Sequence, residues 1–177
     1  YHNGTSENAI KKCLVERRSR DCYRLASKLT VFSIQKKEEV VQIFNQQLEN
    51  CGVEYFDYFL LHNMNIHHYN SVVKSCKMFE HMQEWKKAGK IKHIAISFHD
   101  SADVLDLILS EHPEIEAVQI ALNYYDWNSA FIQAKACFEV IRKHQKQVII
   151  MEPVKGGNLA NPPKNSNLTA DASLALR

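Results

Sequence analysis

Five short apolar segments recur along the chain, and each one ends in polar residues. The clearest is Tyr55–Asn63, YFDYFLLHN, an aromatic and aliphatic run with one charged residue, Asp57, that ends at His62. Continuous apolar runs of this length are typical of strands buried on both faces, as in a parallel sheet. The same pattern predicts strands over residues 22–28, 55–62, 91–98, 117–122 and 148–151.

Amphipathic segments separate the predicted strands. In residues 36–52 the apolar side chains of Val40, Phe44 and Leu48 recur at every fourth position, and Gly52 follows as a helix stop. Similar patterns predict further helices, over residues 6–18, 71–88, 102–112 and 131–141, with a short one beginning near Thr169. A loop rich in Gly, Pro and Asn occupies residues 152–166, and it is too long for a simple connector.

The alternation of strands and helices predicts an α/β fold with a parallel sheet. Eight repeats of this length would give roughly 250 residues, the usual size of an eight-stranded β/α barrel, whereas this chain has 177. We therefore predict a (β/α)8 TIM barrel that is incomplete, with about five of its eight strands. It would form a single domain over residues 1–177, truncated at both ends. An open doubly wound sheet is the alternative, although a first helix without a preceding strand suits it poorly.

The amino-acid composition of the chain argues against some classes of partner. The chain is 45% apolar and 24% charged, as in ordinary soluble domains. The net charge of +2, with basic residues spread among acidic ones, argues against a nucleic-acid partner. No apolar run approaches the roughly 18 residues of a membrane span, which argues against a membrane partner. The five cysteines are scattered and form no CxxC pair, so we expect free thiols and a cytoplasmic location.

Polar residues at the C-terminal ends of the predicted strands are the candidates for chemistry, because barrels and open α/β sheets place their sites there. Those positions hold Lys28, His62, Ser97, His99, Gln119, Asn123 and Glu152. Lys28 and His62 are the strongest candidates, since burying either side chain in a barrel mouth is costly without a purpose.

Two further patterns are weaker. The glycine-containing stretch Val154–Gly157, VKGG, would expose backbone N–H groups to a phosphate, although it matches neither G-x-G-x-x-G nor the Walker loop. His67 and His68 lie in the polar loop after His62, which suggests a metal site. They are adjacent and no carboxylate accompanies them, so we predict no metal.

Six segments in register carry a resemblance to a known family. They are YHNGTSE at the start, LASKL (25–29), DYFLLHN (57–63), GKIKHIAISFHD (89–100), VQIALNYYDW (118–127) and VIIMEPVKGGNLA (148–160). Together they resemble the aldo-keto reductases, in that family's order and over nearly the whole chain. The last two segments and the SFHD variant resemble the branch that often carries a C-terminal ferredoxin-like iron–sulfur segment.

The resemblance implies an eight-stranded β/α barrel that binds NADPH, or in some members NADH, and reduces aldehydes or ketones by hydride transfer. By motif, Tyr1 matches the proton-donating tyrosine, Lys28 the catalytic lysine and His62 the catalytic histidine. A phenol is a poor acid at neutral pH, and a nearby ammonium lowers its pKa by favouring the phenolate. Lys28 would act in this way on Tyr1, while His62 would orient the carbonyl by a hydrogen bond.

The resemblance also implies a set of cofactor-binding residues: Ser97, Gln119, Met151, Val154, Gly156 and Gly157. Ser97 and Gln119 match the partners of the nicotinamide carboxamide, and Val154–Gly157 would lie at the pyrophosphate. This chain departs from the family pattern at two positions. Phe98 stands where an asparagine usually supplies a third carboxamide contact, and Met151 stands where a tyrosine usually stacks under the nicotinamide.

Several parts of the family pattern fall outside the sequence: the catalytic aspartate before Tyr1, three strands, the segment that grips the 2′-phosphate, and iron–sulfur cysteines. We therefore expect an internal fragment that is inactive alone, with an iron–sulfur cluster only in a further C-terminal segment. Two alternatives remain. One is a non-catalytic, nucleotide-binding regulatory protein of the same family, and the other is a barrel aldolase that uses Lys28 as a Schiff base on a phosphorylated substrate. The joint presence of Tyr1, Lys28 and His62 favours an oxidoreductase acting on a small carbonyl compound.

Overall fold

The computed structural model describes residues 4–160, and one sheet of five parallel strands forms its centre. The strands lie side by side in chain order. Their bounds are Ala26–Thr30 (β1), Phe56–Met64 (β2), Ile91–Phe98 (β3), Ala117–Ala121 (β4) and Gln147–Met151 (β5). The predicted α/β fold is confirmed, and the sheet forms part of a barrel.

Helices connect the successive strands. Their bounds are Thr5–Ile10 (α1), Lys37–Cys51 (α2), Ile66–His68 (α3), Met78–Lys87 (α4), Ala102–Glu111 (α5) and Ala134–Lys143 (α6). Two π-helical turns extend α1 and α3, over Lys11–Val15 and Tyr69–Val73. Short 3-10 turns occupy Arg20–Cys22, Val31–Ser33 and Lys155–Gly157. Among residues 4–160, no helix is long and apolar enough to span a bilayer.

Helix α2 illustrates how the apolar pattern becomes packing. Val40, Phe44 and Leu48 lie on its buried side. The ring of Phe44 stacks on Trp85 of α4 at a centroid distance of 3.8 Å and meets Phe59 of β2 edge-on at 4.9 Å. Full burial of each large apolar side chain contributes about 1.5–3 kcal/mol, so these contacts fasten both helices to the sheet.

Gly52 ends α2 as its position in the sequence predicts. Its φ of 68° is left-handed, a conformation that costs glycine little. A Cβ atom at this position would lie 2.9 Å from Cε of Lys11 in the π-helical turn that follows α1. The left-handed backbone conformation therefore favours glycine, while the flexible Lys11 side chain could move away from a larger residue.

The two faces of the sheet differ. Side chains such as Phe59 and Ile96 join the large core under the helices. Residues of the opposite parity form a smaller buried cluster of Leu60, Ala95 and Ala117. Leu60 pairs with Ala95 and Ala95 with Ala117, and paired residues in a parallel sheet point to the same side. This second side, the inner face, is the concave side of the partial barrel.

Asp57 joins the N-terminal ends of three strands, at the edge of the sheet opposite the predicted site. Its side chain is 1% exposed and accepts hydrogen bonds from the Leu25 backbone N–H at 2.8 Å, Arg20 at 2.6 Å and Lys92 at 3.1 Å. Arg24 lies 3.5 Å away. Burial alone would raise the pKa of Asp57, but these bonds outweigh it and lower the pKa to about 2.

Three element boundaries differ from the predicted ones. Strand β1 begins at Ala26 rather than residue 22, because Arg20–Cys22 form a 3-10 turn that directs Arg20 toward Asp57. The helix predicted over 71–88 breaks at Lys77, whose φ of 51° is left-handed. Helix α6 begins at Ala134, and Phe131 is 92% exposed in the preceding loop. The helix predicted near Thr169 and the end of the 152–166 loop lie outside the described residues.

Candidate functional site

Four of the predicted site residues lie on the inner face, toward the C-terminal ends of adjacent strands. Lys28 of β1 pairs with Leu60, and His62 follows Leu60 by two residues on β2. Ser97 of β3 pairs directly with Gln119 of β4. Paired positions share a face and alternate positions return to it, so the four side chains point to the same side of the sheet.

Burial and nearby positive charge shift the basic groups at this edge toward the neutral state. Lys28 is half-buried, and burial lowers the pKa of its ammonium group. Burial also lowers the pKa of His62, and repulsion from Lys28 and His99 brings it to about 4. His62 is therefore neutral at physiological pH, which suits a hydrogen-bonding role rather than that of a fixed cation. Its ring lies 5.9 Å from the ring of Phe32, which follows β1.

His99 lies beside Ser97 and directly follows Phe98, the residue at the position of the predicted third carboxamide contact. Phe98 is buried in the core under the helices, so its side chain points away from the inner face. His99 follows it, and Nε2 of His99 lies 3.3 Å from Oγ of the fully buried Ser97. Much of the His99 side chain is exposed, yet packing around the ring and repulsion from Lys28 lower its pKa, with Glu152 acting in the opposite sense.

Gln119 presents an unsatisfied acceptor at the same edge. Its Oε1 atom is buried and makes no hydrogen bond to any residue in the described range 4–160. A buried polar atom without a partner is costly, so an N–H donor from a bound molecule would stabilise this arrangement. Met151 ends β5, half-buried and paired with Ala121, two residues beyond Gln119 on β4.

The loop after β5 has an unusual backbone. Lys155, Gly156 and Gly157 all have left-handed φ values, of 49°, 64° and 95°. Within residues 4–160 the backbone N–H groups of Val154 and Gly156 have no hydrogen-bond acceptor, while those of Lys155 and Gly157 bond to carbonyls inside the loop. A backbone N–H group that has no acceptor inside the protein can donate to a bound anion. Of the three predicted phosphate-binding residues, Val154 and Gly156 therefore have open N–H groups within residues 4–160, whereas the N–H group of Gly157 is bonded to the Val154 carbonyl oxygen.

Comparison with known proteins is consistent with this arrangement. The sequence model described as "Aldo/keto reductase family" matches residues 1–172. The chain belongs to the aldo/keto reductase family. No curated protein shows a significant match to the sequence.

Solved aldo-keto reductases share the fold. One from Brucella melitensis is 23% identical with a TM-score of 0.68, and the match covers 88% of this chain and 56% of that one. One from Klebsiella pneumoniae, solved with NADPH, is 16% identical with a TM-score of 0.70, covering 89% and 51%. The holo form from Bacillus halodurans is 20% identical with a TM-score of 0.64, covering 92% and 53%. The chain thus spans about half the length of the aldo-keto reductases that it matches.

Tyr1 and the two histidines after His62 are the other residues considered from the sequence. Tyr1, the predicted proton donor, lies outside the described residues. His67 and His68 do not join His62 in a metal site: Nδ1 of His68 lies 2.8 Å from the Asn63 carbonyl oxygen, and residues 4–160 contain no cluster of three potential metal ligands.

One pair of residues next to the site was not predicted from the sequence. Asp126 and Lys155, in the loops after β4 and β5, form an ion pair with Nζ 2.7 and 2.6 Å from the two carboxylate oxygens. Each loop contains several polar residues, and the order of the strands was the only signal that could have brought the two loops together. The pair fixes the loop that carries Val154–Gly157.

Proposed function

We propose that this chain forms the cofactor- and substrate-binding face of an NADPH-dependent oxidoreductase, which reduces aldehydes or ketones to alcohols. The observation that carries the proposal is the common face shared by Lys28, His62, Ser97 and Gln119. Membership of the aldo/keto reductase family supports it, as does the Klebsiella pneumoniae structure solved with NADPH. NADPH is the expected cofactor, and NADH is the alternative to compare with it.

The residues of this chain fit a nicotinamide dinucleotide. The buried Oε1 of Gln119 would accept a hydrogen bond from the carboxamide N–H group, and Ser97 with its neighbour His99 would provide the second contact. The N–H groups of Val154 and Gly156 would donate hydrogen bonds to the phosphate oxygens. When bound, the cofactor supplies the hydride.

The proposed chemistry of the protein itself is proton transfer and orientation. The Tyr1 hydroxyl donates the proton to the carbonyl oxygen as negative charge develops there. The Lys28 ammonium group favours the phenolate and so lowers the pKa of Tyr1. His62, neutral at physiological pH, orients the carbonyl by a hydrogen bond. Lys28 and His62 act from adjacent strands, which holds their separation fixed.

The remaining parts of the proposal concern the setting of the protein. The proposed protein forms a single domain, acts on a small carbonyl substrate and is located in the cytoplasm. The five free cysteines support the cytoplasmic location. The SFHD and MEPVKGG segments are the support for placing the chain in the iron–sulfur branch.

The direct test is oxidation of NADPH, with a panel of aldehydes and ketones, by the full-length protein that contains these residues. Replacing Lys28 by Met should lower kcat/KM by about 10²–10⁴-fold, because it removes the group that activates the proton donor. Lys90→Met, an exposed lysine before β3 at the other edge of the sheet, is the matched control and should leave the rate unchanged.

Two other outcomes would overturn the proposal in favour of an alternative. NADPH binding without turnover of any carbonyl compound would identify a nucleotide-binding regulatory protein. Borohydride trapping of a substrate on Lys28 would identify a Schiff-base aldolase.

A further inference from the structure

A buried ion pair connects the loops after β4 and β5. The Lys155 ammonium group bonds to both carboxylate oxygens of Asp126, at 2.7 and 2.6 Å. Asp126 is only 5% exposed, and about a third of the Lys155 side chain remains exposed. Loops usually contribute few buried charges, so a bidentate pair here calls for an explanation beyond solvation.

Asn123 fixes the acidic partner and the loop together. Its Nδ2 donates to Oδ2 of Asp126 at 2.9 Å and to the carbonyl oxygen of Glu152 at 3.2 Å. Its Oδ1 accepts from the Asp126 backbone N–H at 2.9 Å. Asn123 is 3% exposed, and its amide links the buried carboxylate of Asp126 to the backbone of Glu152, the exposed first residue of the loop.

The charge of Lys155 is already compensated within the protein. Burial opposes ionisation of Asp126, but hydrogen bonds from Lys155 and Asn123 outweigh it and lower the pKa of the carboxyl group. Moving the Lys155 ammonium onto a ligand phosphate would leave a buried carboxylate without its cation, which is strongly unfavourable. The open donors of this loop are instead the backbone N–H groups of Val154 and Gly156, on either side of Lys155.

We propose that Asp126 and Asn123 are positioning residues for the cofactor: they hold Lys155 by its side chain, and so keep the N–H groups of Val154 and Gly156 open to the cofactor diphosphate. In this assignment the Lys155 side chain stabilises the loop conformation and does not contact phosphate. The inference rests on the proposed NADPH-dependent function and specifies which groups of the loop bind the anion.

The test is a double-mutant cycle on the protein with Asp126→Asn, Lys155→Met and the two combined. Each single variant should raise the KM for NADPH about 10-fold, and the double variant should raise it no further, because both changes release the same loop. The value of kcat should stay within about threefold, since Lys28 and His62 are untouched. The pair Asp106→Asn and Lys143→Met, another bidentate ion pair that joins α5 to α6, is the matched control and should leave KM unchanged.

Hydrogen exchange without cofactor separates this inference from the proposed function. The amides of Gly157 and Leu159, which bond to the Val154 carbonyl oxygen, should exchange faster in both single variants, with little change in global melting temperature. Unchanged exchange would overturn the inference even if NADPH binds. Absence of NADPH binding by the wild-type protein would instead refute the proposed function.

A direct phosphate contact by Lys155 predicts a different pattern. Lys155→Met would then weaken NADPH binding and its dependence on salt, whereas Asp126→Asn would leave binding equal or tighter. That asymmetry between the two single variants would also overturn the inference.

Discussion

The two edges of the sheet have opposite effects on the ionised forms of their buried side chains. At the N-terminal edge, Asp57 is buried with Arg20 and Lys92 bonded to it, and its pKa falls to about 2. At the C-terminal edge, Lys28 and His62 lie together on the inner face. Burial lowers both pKa values, and repulsion from Lys28 lowers that of His62 further. The first edge stabilises ionised groups, and the second edge destabilises them.

This difference separates folding from chemistry. A carboxylate with several donors lowers the free energy of the folded state, because the hydrogen bonds exist only there. Basic groups pushed toward neutrality raise that free energy, and such perturbed groups in a cleft are characteristic of functional sites. The loop pair of Asp126 and Lys155 resembles the N-terminal edge in its chemistry but lies beside the C-terminal one. It therefore belongs to the structural support of the site.

The largest effect is expected from breaking the N-terminal edge. Replacing Asp57 by Asn should lower the free energy of unfolding by about 2–4 kcal/mol, because Arg20 and Lys92 lose a buried counter-charge. Urea unfolding measures this value. Glu16→Gln, at an exposed position, is the control and should change stability by less than about 0.5 kcal/mol. An equally small change for Asp57→Asn would show that the two edges do not differ in the way described.

Acid should destabilise the two edges in separate pH ranges. The folded-state pKa of His62 is about 4, below the ordinary 6.5, so the unfolded chain binds the proton more readily. The stability linked to neutral His62 is therefore present above pH 6.5 and is lost as the pH falls to about 4. Asp57 follows the same rule lower on the scale, with its stability lost between pH 3.8 and about 2.

Substitutions of His62 and Asp57 identify which residue causes the loss of stability in each pH range, the upper stage and the lower stage. His62→Gln should reduce the loss of stability between pH 6.5 and 4 by about 2 kcal/mol, a value that allows for solvent screening of the half-buried ring, and leave the lower stage in place. Asp57→Asn should reduce the lower stage, to which Asp126 also contributes, and leave the upper one. Unfolding free energies measured across the pH range give both results. An upper stage that survives in His62→Gln would show that another group causes it.

The sequence was sufficient to predict the strands and the residues at their ends. Buried strands such as Phe56–Met64 produce long apolar runs, and the change to polar residues marks where each strand emerges. The inner-face location of Lys28 and His62 follows from the alternation of side chains once the strands are parallel. Those predictions depend on local patterns, which the sequence displays directly.

Features that depend on contacts between residues distant in the sequence could not be predicted from it. Helix α6 begins late because Gln133 has a left-handed φ of 54° and its side chain accepts a hydrogen bond from the Ala102 backbone N–H of α5 at 3.0 Å. The pair of Asp126 and Lys155 likewise joins two loops that are adjacent only in the folded sheet. No local pattern distinguishes these side chains from ordinary polar loop residues.

The smallest expected effect is a gain in NADPH affinity from a substitution at the C-terminal edge. Met151 stands where aldo/keto reductases usually have an aromatic ring, and the proposed function places the nicotinamide against it. Met151→Tyr should tighten NADPH binding about 3- to 10-fold, because ring stacking contributes about 0.5–1.5 kcal/mol beyond burial. Ile150→Tyr adds the same ring on the opposite side of β5, where the side chain is 53% exposed, and should leave the affinity unchanged. Equal effects of the two substitutions, measured by fluorescence titration with NADPH, would show that Met151 does not lie under the nicotinamide.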